Sequence, residues 1–216
     1  MIQLSTQDTK WLSKVWEKVD AKMKKVAVRS YDKIPYTSAD GVHDDRKNEP
    51  YMWTNGFWGG LMWLLYAGTG DEGNKKAAVH SSAYVNRGLK EYEYLYHDVG
   101  FMSHIVNGAH SRLTGDSGAK NINLFMAAAL ASRYNIDGGF IRAWNMDFAE
   151  GWSIIDSMMN LPLLYWASGE IGDLRFKRIA MAHADMALRD HIRPDGSVRH
   201  IVNHDPYTGE MAEDMD

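Results

Sequence analysis

The chain has 216 residues, 45% of them hydrophobic, which is enough for one sizeable hydrophobic core. Its formal net charge is −4 and its pI is about 6.1, so bulk positive charge for binding nucleic acid is absent and no nucleic-acid partner is expected. The lack of cysteine excludes disulfides, cysteine nucleophiles and cysteine-based metal sites, and it fits a reducing compartment.

The first predicted element is an amphipathic helix over residues 6–26. Its apolar side chains follow a helical spacing with charged residues between them, at Trp11, Val15, Val19, Met23 and Val26. The N-terminal sequence lacks the positive charge and long apolar run of a secretory signal, and no segment approaches the ~18 apolar residues of a membrane span. We therefore expect a cytoplasmic protein with no membrane partner.

After a predicted loop over residues 31–52, one pattern occurs three times. Glycine and aromatic residues begin a buried apolar helix, a Gly-Asp pair ends it, and an amphipathic helix follows. Glycine favours the position after a helix, and aspartate caps the next one. The pairs, spaced 45 and 57 residues apart, are Gly70-Asp71, Gly115-Asp116 and Gly172-Asp173. The pattern predicts helical hairpins in series.

The third buried helix is predicted to begin at Gly151-Trp152 and to continue through Leu161. Two short stretches between the helices, Phe140–Trp144 and Ser197–Val202, alternate or are β-branched and are predicted to form strands or a small hairpin. The large, irregular repeat spacing favours a ring of inner and outer helices over an open solenoid. The sequence thus predicts an all-α fold, with residues 1–216 as a single domain of about seven helices.

If the hairpins are parallel copies, the starts of the buried helices meet at one mouth of the ring. That end gathers aromatic rings, a histidine and two aspartates, at Trp53, Phe57, Trp58, His97, Asp98, Trp144, Trp152 and Asp156. Aromatic rings are more often core residues than sugar platforms when taken singly. Their clustering around carboxylates is typical of an enzyme that processes carbohydrate.

The two aspartates differ in the strength of their signal. Asp156 lies among apolar residues in what is predicted to be an apolar helix, where an unpaired carboxylate is costly. Such an environment raises a carboxyl pKa and suits a general acid, although a buried structural partner is an alternative. Asp98 is explained equally well as an N-cap. The nine histidines form no HExxH motif or compact carboxylate–histidine set, so no metal is expected.

Four segments carry distinctive motifs in order along nearly the whole chain: Trp53–Gly60, His97–Met102, Ile155–Ala167, and Asp195–His200 with the nearby Asp205-Pro206 and Thr208–Glu210. Together these motifs resemble glycoside hydrolase family 88, the unsaturated glucuronyl hydrolases. The resemblance implies an (α/α)6 barrel that acts on oligosaccharides released by polysaccharide lyases from glycosaminoglycans and related polymers. It implies hydration of the C4=C5 double bond of a terminal unsaturated uronate. The expected partner is therefore an oligosaccharide that carries this unsaturated uronate.

The same resemblance implies roles for individual residues. Asp156 matches the aspartate that protonates C4 and then activates water, and Asp98 matches the one that holds sugar hydroxyls and tunes the first. The implied sugar-binding residues are Trp53, Phe57, His97, Trp144 and His200. The resemblance implies no metal and no organic cofactor.

The sequence departs from the family pattern by its length. A later segment of the type Ser-Trp-Ser-Arg-Gly-Gln-Ala-Trp, which in the family completes the pocket and binds the uronate carboxylate, does not occur here. The chain therefore corresponds to the N-terminal part of the barrel, an incomplete, open ring. We expect such a ring to expose its apolar inner face, to self-associate through it, and to be a poor catalyst alone.

Two alternatives remain open at this stage. The first is an unsaturated rhamnogalacturonyl hydrolase, with the same ring and chemistry on a pectin-derived substrate; the stretch Met159–Pro162 favours the glucuronyl family. The second is a non-catalytic helical scaffold or carbohydrate-binding fragment. Turnover of glycosaminoglycan and pectin lyase products, with sugar binding measured separately, distinguishes all three.

Overall fold

Seven helical rods account for most of the chain in the computed structural model, which describes residues 4–215 except the side chains of residues 90 and 93. The α helices are Thr6–Arg29 (α1), Asn55–Thr69 (α2), Glu72–Arg87 (α3), Val99–Ser103 (α4), Ala109–Thr114 (α5), Ser117–Ala131 (α6), Leu161–Ile171 (α7) and Leu174–Asp190 (α8). A π-helical turn, His104–Gly108, joins α4 to α5, so these two form one rod. The predicted all-α class is confirmed.

Each predicted Gly-Asp turn joins a buried helix to a more polar one. Gly70, Gly115 and Gly172 follow α2, α5 and α7 with φ of 69°, 75° and 71°, a left-handed conformation that glycine adopts without steric cost. The aspartate after each glycine caps the next helix by accepting a backbone hydrogen bond: Asp71 from Gly73, Asp116 from Ala119 and Asp173 from Arg175. The predicted hairpins are therefore confirmed.

The hairpins stand side by side in two layers. The inner layer consists of α2, the α4–α5 rod and α7, and the outer layer of α3, α6 and α8, with α1 packed against α3. Buried side chains fill the space between the layers in two main clusters, one that includes Leu163 and Leu164 and one that includes Met62 and Trp63. This arrangement is an arc of an (α/α) toroid, as predicted. The single domain over residues 1–216 stays a prediction.

Inner neighbours approach each other closely where glycine allows it. A Cβ atom added to Gly56 on α2 would lie 2.8 Å from the backbone of Met102 on α4. Only a residue without a side chain fits at that distance. The starts of α2 and α4 are therefore held next to each other, which places the residues around both starts at one mouth of the arc.

Apolar side chains are left uncovered on two faces of the described chain. On the inner helix α2, Leu64 is 69% exposed and Phe57 is 46% exposed. On α1, the predicted stripe does form a helix, yet Trp11 is 63% exposed and only Val26 of the stripe is buried. Large exposed apolar patches of this kind are typical of interaction surfaces.

Short strands occupy the loops between the helices. They are Ser38–Ala39 (β1), Val42–His43 (β2), Tyr134–Asn135 (β3), Phe140–Ile141 (β4), Trp152–Ile154 (β5), Ile201–His204 (β6) and Met211–Asp214 (β7). They pair antiparallel as β1–β2, β3–β4 and a three-stranded sheet in the order β5-β6-β7. The two predicted stretches thus contain strands, but these belong to different sheets and do not form a hairpin with each other.

The predicted start of the third buried helix at Gly151-Trp152 is wrong. Residues Trp152–Ile154 form β5, a 3-10 helix follows over Ile155–Met159, and α7 begins only at Leu161. The apolar composition is shared by buried strands and buried helices, so it does not distinguish them. A Cβ atom on Gly151 would lie 1.8 Å from the carbonyl oxygen of His204, so close β5–β6 pairing sets the local conformation.

Within residues 4–215, no helix has both the length and the apolar character needed to cross a membrane.

Candidate active site

Asp98 lies at the N-cap position of α4, yet its side chain makes no capping hydrogen bond. Its carboxylate Oδ1 lies instead 3.5 Å from Nε2 of His97, and 14% of the Asp98 side chain is exposed. The His97 ring is buried, at 1% exposure. The capping role that local sequence allowed for Asp98 is therefore wrong, and the carboxylate is available for another function.

Asp156 lies in the 3-10 helix between β5 and α7, and its side chain is exposed. The prediction of a buried carboxylate inside an apolar helix is wrong on both points. The cause is the sheet: the Ile155 N–H donates to the carbonyl oxygen of His200 at 3.0 Å, which holds the segment against the start of β6. The chain therefore presents Asp156 at the mouth of the arc before α7 begins.

The two aspartates and His97 come together at this mouth. One ligand atom from each of His97, Asp98 and Asp156 lies within 4.8 Å of the others. The proximity depends on Gly100, where an added Cβ atom would lie 2.4 Å from Cβ of Asn160. The Asn160 Oδ1 also accepts the backbone N–H of Phe101 at 2.8 Å. Close contact between α4 and the end of the 3-10 helix thus sets the distance between the carboxylates.

Both carboxyl groups hold their protons more tightly than usual. Burial, and then the negative charge of Asp156, raise the pKa of Asp98 to about 7, while Arg133 acts in the opposite direction. Although the Asp156 side chain is exposed at the surface, the protein atoms around its carboxyl group exclude part of its water and raise its pKa, against the effect of His200. We expected the charge of Asp98 to raise the pKa of Asp156, whereas it is the charge of Asp156 that raises the pKa of Asp98. Two carboxyl groups this close titrate as a coupled pair.

His97 is electrically neutral in this environment. Burial, Arg133 and His183 together lower the pKa of His97 to about 3. Its Nδ1 lies 2.6 Å from the hydroxyl of Ser157, and its backbone N–H donates to the carbonyl oxygen of Ala143. A neutral ring beside two carboxyl groups is a hydrogen-bonding partner rather than a counter-ion.

Arg133 is a buried guanidinium behind the site, 8% exposed. It donates to the carbonyl oxygens of Leu95, Arg142 and Ala143 and to Oδ1 of Asn145, at 2.7–3.1 Å. These acceptors belong to two loop segments, one that carries His97 and one that carries Trp144. Arg133 therefore fastens the two loop segments together, and it supplies a positive charge near Asp98.

Two groups of aromatic rings lie on segments that adjoin the aspartates or α4. Trp53 and Phe57, about half exposed, pack edge-on to each other at 6.1 Å, and both contact Phe101 on α4 at 6.4 and 5.6 Å. In the second group, Trp144 packs against Trp152 of β5 at 5.7 Å. The predicted gathering of these rings around the aspartates stays a prediction.

His200 is exposed and lies near Asp156, whose pKa it lowers. Three residues of the site carried no predicted role: Ser157, Asn160 and Arg133. Ser157 and Asn160 stand within the motif that contains Asp156, so the motif itself was the available signal. Nothing in the sequence singled out Arg133.

His97, Asp98 and Asp156 also form a compact carboxylate–histidine set, which the sequence was expected to lack. His97 and Asp98 are adjacent in the sequence, but Asp156 lies far from them along the chain, so no spacing motif could reveal the set. Proximity is the only feature that favours an ion, and a carboxyl group with a pKa near 7 must lose its proton before it can bind one. The expected absence of a metal stays a prediction.

Known proteins resemble this chain in sequence and in structure. No family model matches it. The unsaturated glucuronyl hydrolase of Bacillus sp. strain GL1 is 37% identical over 182 residues, which cover 82% of this chain and 48% of that protein. The unsaturated chondroitin disaccharide hydrolase of Streptococcus agalactiae is 35% identical over 162 residues, 73% of this chain and 40% of that protein.

The crystal structure of the Bacillus sp. GL1 unsaturated glucuronyl hydrolase superposes with a TM-score of 0.79 at 34% identity, covering 90% of this chain and 52% of that one. The structure of an unsaturated glucuronyl hydrolase specific for heparin gives a TM-score of 0.77 at 28% identity, covering 90% and 54%. The chain spans about half the length of the curated relatives it matches. It belongs to the unsaturated glucuronyl hydrolases, glycoside hydrolase family 88.

Proposed function

We propose that this chain carries the catalytic aspartates of an unsaturated glucuronyl hydrolase. The observation that supports the proposal is the meeting of Asp98 and Asp156 at one mouth of the helical arc, beside neutral His97. The proposed substrate is an oligosaccharide whose terminal uronate carries a C4=C5 double bond, in keeping with the names of the relatives.

In the proposed reaction Asp156 donates its proton to C4 of the vinyl ether, and positive charge spreads over C5 and the ring oxygen. The Asp156 carboxylate then takes a proton from a water molecule whose oxygen bonds to C5. The resulting hemiketal opens and releases the remaining sugar. One carboxyl group thus acts first as acid and then as base, and its raised pKa favours the first step.

Asp98 is proposed to hold the sugar hydroxyls next to the double bond. With a pKa of about 7 it is neutral for part of the time at neutral pH, so it can donate a hydrogen bond as well as accept one. Its proximity to Asp156 also couples the two protons. This arrangement favours the protonated acid that the first step needs.

The remaining contacts are proposed for the rings and histidines around the aspartates. Trp53 and Phe57 are exposed enough to stack on a sugar, and Trp144 offers a second platform. The sugar would therefore lie between two aromatic faces.

His200 is exposed and lies near Asp156, where it can hydrogen-bond a sugar hydroxyl. The predicted direct sugar contact of His97 does not fit its burial, because one ring nitrogen faces Ser157 and the other faces Asp98; His97 is proposed to act on the sugar through Asp98.

We expect turnover by the 216-residue chain itself to be slow. The Asp156 side chain is exposed, and water stabilises its ionised form, so the acid is less well kept in its protonated state than in a dry pocket. Association of chains through the exposed apolar face of α2 is also proposed, and analytical ultracentrifugation over a range of concentrations tests it.

The test is loss of ultraviolet absorbance at the double bond of an unsaturated chondroitin disaccharide, with binding measured separately by calorimetry. Asp156→Asn should lower turnover about 100-fold or more while binding persists, since general acid–base groups contribute roughly 10²–10⁴-fold. Asp98→Asn should weaken both. The exposed turn residue Asp137, changed to Asn, is the matched control and should leave both unchanged. A wild-type chain that neither binds nor consumes the disaccharide contradicts the proposal.

The same assay separates the alternatives. Faster consumption of a pectin-derived unsaturated disaccharide would indicate a rhamnogalacturonyl hydrolase, which the names of the matched relatives do not favour. Sugar binding without any loss of absorbance, in the wild type and in Asp156→Asn alike, would indicate a binding fragment without catalysis.

A further inference from the structure

The proposed chemistry leaves the Ser157 hydroxyl without a role, although it is fully buried next to the site. Its Oγ lies 2.6 Å from Nδ1 of His97, and neither side chain is more than 1% exposed. The other ring nitrogen, Nε2, faces Oδ1 of Asp98 at 3.5 Å. Ser157, His97 and Asp98 therefore form a continuous polar chain from the interior to the mouth.

The neutral state of the His97 ring limits the hydrogen bonds that Ser157, His97 and Asp98 can form with one another. A neutral imidazole has one N–H donor and one acceptor nitrogen, so only one of its two neighbours can receive a hydrogen bond from it. An ionised Asp98 only accepts, which requires the proton on Nε2. A protonated Asp98 can donate to Nε2, which requires the proton on Nδ1.

A hydroxyl is the partner that satisfies Nδ1 in both cases. When Asp98 is ionised, Ser157 Oγ–H donates to the bare Nδ1. When Asp98 takes up a proton, its O–H donates to Nε2, the ring proton resides on Nδ1, and Ser157 Oγ accepts it. The ring carries one proton in each state, and the single added proton is the one on Asp98.

We propose that Ser157 is a positioning residue that lets His97 exchange tautomers as Asp98 gains or loses a proton. The buried ring then never carries a net charge and never leaves a donor unpaired. Among charged and titratable groups, Asp156 and Arg133 act on Asp98, and Arg133 and His183 act on the His97 ring. This role of Ser157 rests on the site of the proposed function. It is tested in the sugar-free protein without measuring turnover, so its failure can be distinguished from failure of the proposed function.

The test is nitrogen-15 NMR of the His97 ring in the 216-residue chain without sugar, with the Asp98 carboxyl followed by carbon-13 NMR over the same pH series. As pH rises through about 7, where Asp98 ionises, Nδ1 should change from the protonated to the unprotonated type of signal and Nε2 should change in the opposite sense. A ring that keeps one tautomer while Asp98 titrates overturns the proposal.

Ser157→Ala should abolish the exchange. A buried Nδ1–H would have no partner, so the ring should keep its proton on Nε2 at every pH and donate to the Asp98 carboxylate. The Asp98 midpoint should then fall by about one pH unit, a tenfold loss of proton affinity. Ser157→Thr retains the hydroxyl and should restore both signals, and Ser132→Ala, which removes an exposed hydroxyl bonded to Ala129, is the matched control.

An unchanged exchange in Ser157→Ala also overturns the proposal. If that variant does not fold, the wild-type measurement alone decides, because a fixed tautomer contradicts the proposal and coupled exchange at both nitrogens supports it.

Discussion

Aspartates stand at helix starts at both ends of the hairpins, and the two ends use them differently. At the turns, Asp71, Asp116 and Asp173 each cap the helix that follows. At the mouth, Asp98 occupies the same N-cap position on α4 and caps nothing. The same residue type at the same local position thus stabilises the fold at one end and is left for another purpose at the other.

The difference shows that the arrangement of Asp98 at the mouth lowers the stability of the fold. A capping aspartate satisfies backbone donors and lies next to the positive end of the helix dipole. Asp98 instead lies largely buried beside a second carboxylate; burial first, and then the charge of Asp156, raise its pKa to about 7. A fold that keeps an unfavourable arrangement of this kind is typical of a functional site. Three variants test the contrast, from the largest expected effect to the smallest.

Arg133→Met should destabilise the chain by about 4 kcal/mol, since it removes the hydrogen bonds from a charged guanidinium to three loop carbonyl oxygens, and a hydrogen bond to a charged group contributes about 1.5–3 kcal/mol. The free energy of unfolding is measured by urea denaturation. Arg175→Met, at an arginine whose side chain is 86% exposed, is the control and should cost less than about 1 kcal/mol. A small effect at Arg133 would mean that packing alone holds the loops of the mouth.

Asp98→Asn should stabilise the chain at pH 8 by about 3 kcal/mol, allowing for partial exposure of the side chain. The folded chain holds a proton on Asp98 up to a pKa of about 7, whereas the unfolded chain releases it near the ordinary value of 3.8. The stability of the wild type therefore falls as pH rises between these values, and the advantage of Asn should vanish below about pH 4.

Denaturation of Asp98→Asn and wild type at a series of pH values measures this difference. Asp71→Asn is the matched control, since Asn caps a helix about as well as Asp and should change stability by only a few tenths of a kcal/mol. Equal pH dependence of the Asp98 variant and the wild type would show that Asp98 carries no unfavourable charge.

Asp116→Ala should destabilise the chain by about 1 kcal/mol, the usual cost of losing a side-chain cap. Thermal unfolding followed by circular dichroism detects a change of this size. Asp98→Ala should show no such loss because no cap is removed. Loss of stability in both variants would remove the contrast between the two ends.

The hairpins could be predicted because their signals are local. A glycine that permits a positive φ and an aspartate that accepts from the next few backbone N–H groups act within a handful of residues. The site was predicted in part: the motifs around Asp98 and Asp156 indicated the residues, but the surroundings of Asp156 were wrong. The apolar residues before Asp156 are compatible with either a helix or a strand, and pairing with β6 makes residues Trp152–Ile154 a strand, β5.

The sequence by itself therefore determined the helical hairpins, their turns and the family, because backbone capping and motif identity are carried by neighbouring residues. Only the tertiary structure decided that Asp98 caps nothing, that Ser157 reaches His97, and that Arg133 ties two loops together. Each of these depends on contacts between segments that are far apart in the chain. The close packing of helices at glycine residues sets those distances, and no local sequence pattern predicts them.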